Sequence, residues 1–495
     1  MARQLRVLFI APEVAPFAKT GGLADVAGAL PAALLGLGHD VRILMPKYRG
    51  VEAHAAGLRI AVPQFRVPIG DREVEGALFE GQTTSGVPVY FLAHDHYFDR
   101  DGLYGTADGD YWDNCERFIF FSRGALEAVA RLGEAGGAPW RPHLVHNNDW
   151  QTGLVPVYLR TLYQDHPRLG EMATLFTIHN LAYQGVFWHY DMPLTGLGWD
   201  LFTPAGVEFY GKLNFLKGGL VFSDLLTTVS RTYAREIRSA AFGGGLEGVL
   251  EERSQDLHGV VNGIDYSAWN PATDKSLARR YSAEDPSGKE QCREALRAEL
   301  GLPAAPGPLV SLVTRLTEQK GVDLVLEALP ALLAEGCQIV LLGSGDATLE
   351  AGVAAAAREH PEQIAARIGY DGDLARRIYA GADLFLMPSR YEPCGLGQLI
   401  ALRYGTAPVV RRTGGLADTV TEFDPARRTG TGFTFDGFAV PALLDAVRRA
   451  ASAYRQPPLW RALVRNAMSE DFSWEASARE YVTLYNKAIK IRHAL

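Results

Sequence analysis

A six-residue run, Thr-Gly-Gly-Leu-Ala-Asp, occurs twice in the chain, at 20–25 and at 413–418. A basic residue leads each copy, Lys19 in the first and Arg412 in the second. Both copies follow an extended apolar segment and run into a helical pattern. Glycine at such a turn lets a neighbour come close to the main chain, and the helix start offers free N–H groups and the positive end of the helix dipole. Glycines alone favour two ordinary β-α turns. The echo argues for more: two similar β-α units, one in each half, imply an α/β chain of two doubly wound domains facing across a cleft.

The stretch around the second copy carries the densest chemistry. Leu384–Met387 is a short apolar run of the kind a buried parallel strand shows. A loop bracketed by Pro388 and Pro393 follows, with Arg390, Tyr391 and Glu392, and Cys394-Gly-Leu-Gly then opens a helix over Gln398–Tyr404. Thr406–Val410 reads as the next strand, ending at Arg411 and Arg412. A carboxylate ahead of one helix start and two arginines ahead of the other suit an anionic ligand that also carries hydroxyls.

A chain of 495 residues is too long for one ordinary core, so two or three domains are expected. The net charge of -8 argues against a general nucleic-acid binder. Cys115, Cys292, Cys337 and Cys394 lie far apart with no Cys-x-x-Cys pair, which fits a reducing cytoplasm and no structural zinc. The N-terminus leads straight into a strand without a basic-then-apolar leader, and no apolar run approaches the ~18 residues of a membrane helix.

In order, Leu5–Ala11 and Val41–Met45 read as strands, joined by a helix with Leu23, Val26, Ala27, Leu30 and Leu34 on one face. Residues 59–93 suggest inserted β-hairpins. Tyr97–Asn114, rich in Tyr, Asp and Gly, is either a solvated loop or a sugar-contacting surface. Ala173–Ile178 is an apolar strand ending at His179-Asn180, the end at which open α/β sheets bind ligands; on local context alone His179 is equally a structural histidine. Residues 266–290 read as the interdomain connection. After Pro308, β-α alternation is regular through Leu309–Thr314, Gln338–Leu342, Ile364–Ile368 and Leu384–Met387, which implies a parallel sheet. Ser473–Ile491 is a long terminal helix. The expected domains are 1–260, 261–472 and a terminal helix at 473–495.

Arg315 and Lys320 follow one strand and Gly343-Ser-Gly the next, and a nucleotide diphosphate needs such fixed positive charge. Gly343-Ser-Gly-Asp is not the dinucleotide fingerprint, and neither the phosphate-loop motif, the serine elbow nor a His-Glu-x-x-His metal motif occurs. Asp-Gly-Asp stands at 108–110 and 371–373, where a polar turn is the better reading than a metal-binding Asp-x-Asp.

Lys19-Thr-Gly-Gly-Leu, His146-Asn-Asn-Asp-Trp, Thr177-Ile-His-Asn-Leu-Ala-Tyr-Gln-Gly, Val261-Asn-Gly-Ile-Asp, Arg315-Leu-Thr-Glu-Gln-Lys-Gly and Glu392-Pro-Cys-Gly-Leu resemble, in order and over nearly the whole chain, the motifs of bacterial glycogen synthases and plant starch synthases. The resemblance implies a GT-B fold, two Rossmann-like domains across a deep cleft with the terminal helix crossing back to the first. It implies transfer of glucose from ADP-glucose to the non-reducing end of an α-1,4-glucan in glycogen biosynthesis, with retention, without a metal or cofactor, and with no nucleic-acid or membrane partner. By motif, Lys19 and the amides of Gly21 and Gly22 would contact the donor. Arg315 and Lys320 would hold the diphosphate, and Glu392 would bind donor-glucose hydroxyls. The amides from Cys394, Gly395 and Leu396 to Gly397 would hold phosphate or sugar. His179 and Asp149 would face the glucose, Tyr370 would stack on adenine, and Tyr111 and Asn114 would form the active-site rim. Two departures stand out: Gly397 replaces a larger family residue, and a basic position in the linker helix is shifted to Arg293. Other readings are a nucleotide-sugar epimerase, a glucan phosphorylase and a non-catalytic glucan binder; the full set of cations argues against the last.

Overall fold

The computed structural model describes residues 4–132 and 140–494. The chain forms two compact units. One takes in the chain to Val229, Ala234–Val260 and the C-terminal segment from Trp474; the other takes Ser230–Tyr233 and Val261–Ser473.

The first unit is built on a nine-stranded sheet among the described residues. Its strands are β1 (Arg6–Ile10), β2 (Asp40–Pro46), β3 (Ala56–Ile69), β4 (Arg72–Gln82), β5 (Pro88–Ala93), β6 (Leu144–Asn148), β7 (Ala173–Ile178), β8 (Leu225–Thr228) and β9 (Leu257–Gly259). They lie in the order β9-β8-β7-β6-β1-β2-β5-β4-β3. All neighbours are parallel except the β3/β4 and β4/β5 pairs, which are the expected hairpins. Leu8, Phe9 and Ile10 are wholly buried, because helices cover both faces of the central strands. α1 (Gly22–Gly36) runs through Pro31 and buries Leu23, Val26, Leu30 and Leu34 at helical spacing. The terminal helix, Trp474–Ala494, belongs to this unit and buries Ala478, Tyr481, Tyr485 and Ala488. Each fully buried large side chain of this kind contributes about 1.5–3 kcal/mol. His146 of β6 joins it to the sheet: one ring nitrogen lies 2.8 Å from the Tyr485 hydroxyl and the other 2.6 Å from Thr177 Oγ1. Burial holds this ring neutral, with its pKa well below the usual histidine value. A small antiparallel sheet, Val186–Trp188 with Lys212–Asn214 and Glu208–Phe209, stands apart from the main one.

The second unit holds β10 (Leu309–Val313), β11 (Gln338–Gly343), β12 (Ile364–Ile368), β13 (Leu384–Met387), β14 (Ala407–Arg411) and β15 (Phe433–Phe435). They form a parallel sheet in the order β12-β11-β10-β13-β14-β15. The order runs outward both ways from β10 and β13, so the unit is doubly wound and its ligand edge lies at the C-terminal ends of those two strands.

Residues 266–290 are not a connection. Tyr281 and Lys289 are buried inside the second unit. Lys289 Nζ donates to the carbonyls of Ala380 (2.9 Å) and Tyr404 (3.2 Å) and to Thr406 Oγ1 (2.6 Å), while the Tyr281 hydroxyl donates to Tyr404 O at 2.7 Å. The polar residues that resemble a linker in sequence satisfy carbonyls at the ends of two helices, Gly372–Gly381 and Gly397–Arg403, where a cation is favoured. Burial lowers the Lys289 pKa to about 7.

Candidate functional site

In the first unit, three adjacent strands end in charged or titratable residues. Glu13 follows β1, Asp149 follows β6 and His179 follows β7. Glu13 is buried, and four donors converge on its carboxylate. Thr20 N lies 2.5 Å and Gly21 N 3.3 Å from Oε2; Thr20 Oγ1 lies 2.6 Å and the Tyr104 hydroxyl 2.7 Å from Oε1. The Lys19–Gly22 loop is therefore held by a carboxylate seven residues before its threonine, with charge-assisted bonds. Around Gly21 and Gly22 a side chain would meet nothing within 4 Å, so this copy of the repeat leaves open space beside its Cα atoms. Lys19 Nζ lies 2.6 Å from Asp25 in an exposed pair, worth at most about 1 kcal/mol, and a phosphate can displace that partner.

Asp149 has φ of 56° and ψ of 179°, a conformation that is essentially confined to glycine. Strain of this kind concentrates where a side chain must be aimed. Its Oδ1 accepts from His179 N at 2.7 Å, so Asp149 fixes the turn that carries His179. The residue keeps some solvent exposure, but its carboxyl group is enclosed by protein, and that desolvation pushes its pKa up to about 7. His179 Nε2 lies 2.9 Å from Asn148 Oδ1, and Asn148 Nδ2 in turn donates to Ile10 O at 2.9 Å. That amide orientation makes His179 Nε2 the protonated nitrogen. Burial drops the His179 pKa to about 3, so the ring works as a neutral hydrogen-bonding group.

Tyr111 and Asn114 lie behind Tyr104. Asn114 is buried, its Nδ2 donates to Tyr104 O and its Oδ1 accepts from Arg117. Tyr111 N donates to the same carbonyl, and its ring packs on the guanidinium groups of Arg100 and Arg117. Both brace Tyr104. Glu13 and Tyr104, 91 residues apart, were not among the sequence candidates; the position of Glu13 just past a strand's C-terminal end is the signal that would have found it.

In the second unit, the loops after β10 and β13 meet. Lys320 Nζ lies 2.6 Å from Glu392 Oε2, and Ser389 Oγ donates to the same oxygen at 3.0 Å. Glu392 is buried and Lys320 largely so. Gly321 has φ of 71°, and a Cβ there would lie 2.2 Å from Pro388 O. Only glycine lets the two loops come this close. Arg315 is exposed on the same side, at the end of β10, and Tyr370 stands 95% exposed beyond β12. Cys394 is buried, and burial pushes its thiol up to about 12, so it is inert at neutral pH.

The second copy of the repeat does not offer its amides to a ligand. Gly414 has φ of 45°, and a Cβ would lie 1.8 Å from Glu392 O; one on Gly415 would lie 2.1 Å from Cys394 O. Gly415 N already donates to Glu392 O at 3.0 Å. The glycines here let the 392–394 loop pack against the helix, which places Glu392. Arg411 donates to the carbonyls of Arg390 and Asp436, and Arg412 pairs with the Asp436 carboxylate. Gly397 is explained by packing: a Cβ there would lie 2.9 Å from Phe385. Arg293 donates to Asp383 and to the Tyr454 hydroxyl within the second unit. Among the described residues, no group of three His, Cys, Asp or Glu side chains is placed to hold a metal ion.

Comparison with known proteins gives one answer along the chain. Residues 6–252 match the family described as starch synthase catalytic domain, and residues 307–452 match glycosyl transferases group 1. The glycogen synthase of Syntrophotalea carbinolica is 51% identical over 493 residues, spanning 99% of this chain and 100% of its own. That of Anaeromyxobacter sp. (strain Fw109-5) is 53% identical over 483 residues, 97% of this chain and 99% of its own. The catalytic domain of starch synthase IV from Arabidopsis thaliana, solved with ADP and acarbose, has a TM-score of 0.88 at 36% identity, covering 99% of this chain and 100% of that one.

Proposed function

The chain belongs to the glycogen synthase and starch synthase family of glycosyltransferases, and we propose that it transfers glucose from ADP-glucose to the non-reducing end of an α-1,4-glucan with retention of configuration. The observation that carries the reading is the Lys320–Glu392 pair beside the exposed Arg315. A nucleotide-sugar donor presents a diphosphate and a ring of hydroxyls, and these residues supply two cations and one carboxylate at neighbouring strand ends. Arg315 and Lys320 take up the negative charge that grows on the departing diphosphate. Glu392 accepts from sugar hydroxyls and balances the positive charge growing on the sugar ring.

In the first unit, Lys19 and the Gly21-Gly22 turn contact the donor, and neutral His179, aimed by Asp149, hydrogen-bonds the glucose. Tyr370 presents its exposed face to the adenine ring. Leaving-group stabilisation comes from protein cations, so no metal or cofactor is required. Within the described residues no helix is long and apolar enough to cross a membrane, and the four cysteines are free and buried, which suits work in a reducing cytoplasm.

The test is release of ADP from ADP-glucose with and without glycogen, each with and without EDTA. The reading requires glucan-dependent release that survives EDTA. Full inhibition by EDTA, reversed by magnesium or manganese, would overturn the metal-free mechanism, and release of glucose 1-phosphate from glycogen by phosphate would show a phosphorylase instead.

A further inference from the structure

Among the described residues, six of the eleven exposed large apolar side chains fall within residues 183–210 of the first unit: Tyr183, Val186, Trp188, Tyr190, Trp199 and Tyr210. Five are aromatic.

The small antiparallel sheet organises this patch. Phe187 points inward, 5.7 Å from the Trp150 ring and 4.8 Å from Phe215, so its strand neighbours Val186 and Trp188 point outward. Trp188 and Phe209 both pair with Lys212, which puts the three side chains on one face. Trp188 is 62% exposed, and Tyr190 stands 4.4 Å from its ring. A two-residue turn, Tyr210-Gly211, closes the hairpin with φ of 49° and 75°. Such a turn favours Asn, Asp or Gly at its first position. A tyrosine there is strained, yet its ring is 78% exposed. Neither local conformation nor burial accounts for it.

The patch shares its anchors with the site. The small sheet rests on Trp150, the residue after Asp149; a Cβ on Gly185 would lie 2.3 Å from that indole. Tyr183 N donates to Asn180 O, in the turn that carries His179.

We propose that this face is the surface on which the glucan chain lies. Pyranose rings offer flat C–H faces that stack on aromatic rings, and their hydroxyls reach the exposed Lys212 between them. The proposal rests on the glucan-acceptor reading of the function and names the residues that hold the polymer.

Affinity electrophoresis in glycogen-containing gels measures binding without turnover. Trp188→Ala and Tyr210→Asn each raise the apparent Kd for glycogen about tenfold, the scale of one lost stacking contact. Trp188→Tyr and Tyr210→Phe keep a ring and bind within about threefold of the parent. Tyr210→Asn relieves the left-handed strain, so its unfolding midpoint equals or exceeds that of the parent while its glycogen binding falls. A merely structural tyrosine would lower the midpoint. Parent-like glycogen binding by both ring-removing variants overturns the proposal, as does a shift from oligomer to monomer in sedimentation velocity, which would make the face a protein interface. Ring-dependent glycogen binding without transfer from ADP-glucose would sustain this surface and defeat the proposed function.

Discussion

Replacing Glu13 with alanine tests whether the first unit's loop is held by a single carboxylate. Four donors converge on that side chain, two of them the backbone amides of Thr20 and Gly21. The hydroxyls of Thr20 and Tyr104 can turn to water, so the two amide bonds set the minimum loss. Hydrogen bonds to a charged group contribute about 1.5–3 kcal/mol each, giving about 3 kcal/mol at the low end for the pair. At about 1.4 kcal/mol per tenfold, the ordered loop becomes roughly 10²-fold less populated. Because Lys19 and the Gly21-Gly22 turn ride on this loop, kcat/KM for ADP-glucose falls by about the same factor. Glu13→Gln can turn its amide oxygen to the two backbone donors and its nitrogen to the two hydroxyls, so it retains activity within about tenfold of the parent, the difference being charge alone. Steady-state kinetics with saturating glycogen gives the first readout, and hydrogen exchange at the Thr20 and Gly21 amides the second. Fast exchange should appear in the alanine variant and be largely absent in glutamine. A Glu13→Ala enzyme within threefold of the parent, with both amides still protected, would refute the reasoning.

Three further expectations follow from the second unit. Lys320→Ala removes a leaving-group cation and leaves Glu392 buried without its partner, so kcat falls by roughly 10²-fold and the fold loses about 3 kcal/mol; a change in KM alone would show that the lysine merely binds. Glu392→Gln folds but is severely impaired, and mass spectrometry of the parent enzyme trapped with a slow fluorinated donor shows no glucosyl adduct; an adduct on Glu392 would establish it as a nucleophile. Lys289, with a folded pKa lowered from 10.5 to about 7, binds fewer protons folded than unfolded between those values, so the parent gains stability over Lys289→Met by about 1.4 kcal/mol per pH unit from pH 7 upward. Denaturant melts at pH 7, 8 and 9 check this, and a pH-independent difference would show that Lys289 stays charged.

Both sheets were legible because buried parallel strands are continuous apolar runs. Ala173–Ile178 has the same bounds in sequence and structure. Arg315, Lys320 and Glu392 were legible as polar residues just past such strands. The two copies of Thr-Gly-Gly-Leu-Ala-Asp were misleading as a pair. Glycine permits close approach whatever approaches, and space is left open at Gly21 while the 392–394 backbone fills it at Gly414. Residues 266–290 looked like a linker because a buried lysine that satisfies two carbonyls and a hydroxyl has the composition of an exposed one. Glu13 and Tyr104 were invisible as partners because their bond exists only after the sheet has assembled.

The central claim is glucosyl transfer from a nucleotide donor to the end of a glucan. The most direct measurement uses a maltooligosaccharide tagged at its reducing end, incubated with ADP-glucose and followed by mass spectrometry and proton NMR. The account predicts a ladder growing one hexose at a time, each new residue α-1,4-linked at the end away from the tag, with one ADP released per step. Release of ADP with free glucose and an unextended tag, or new residues in the β configuration, would contradict it.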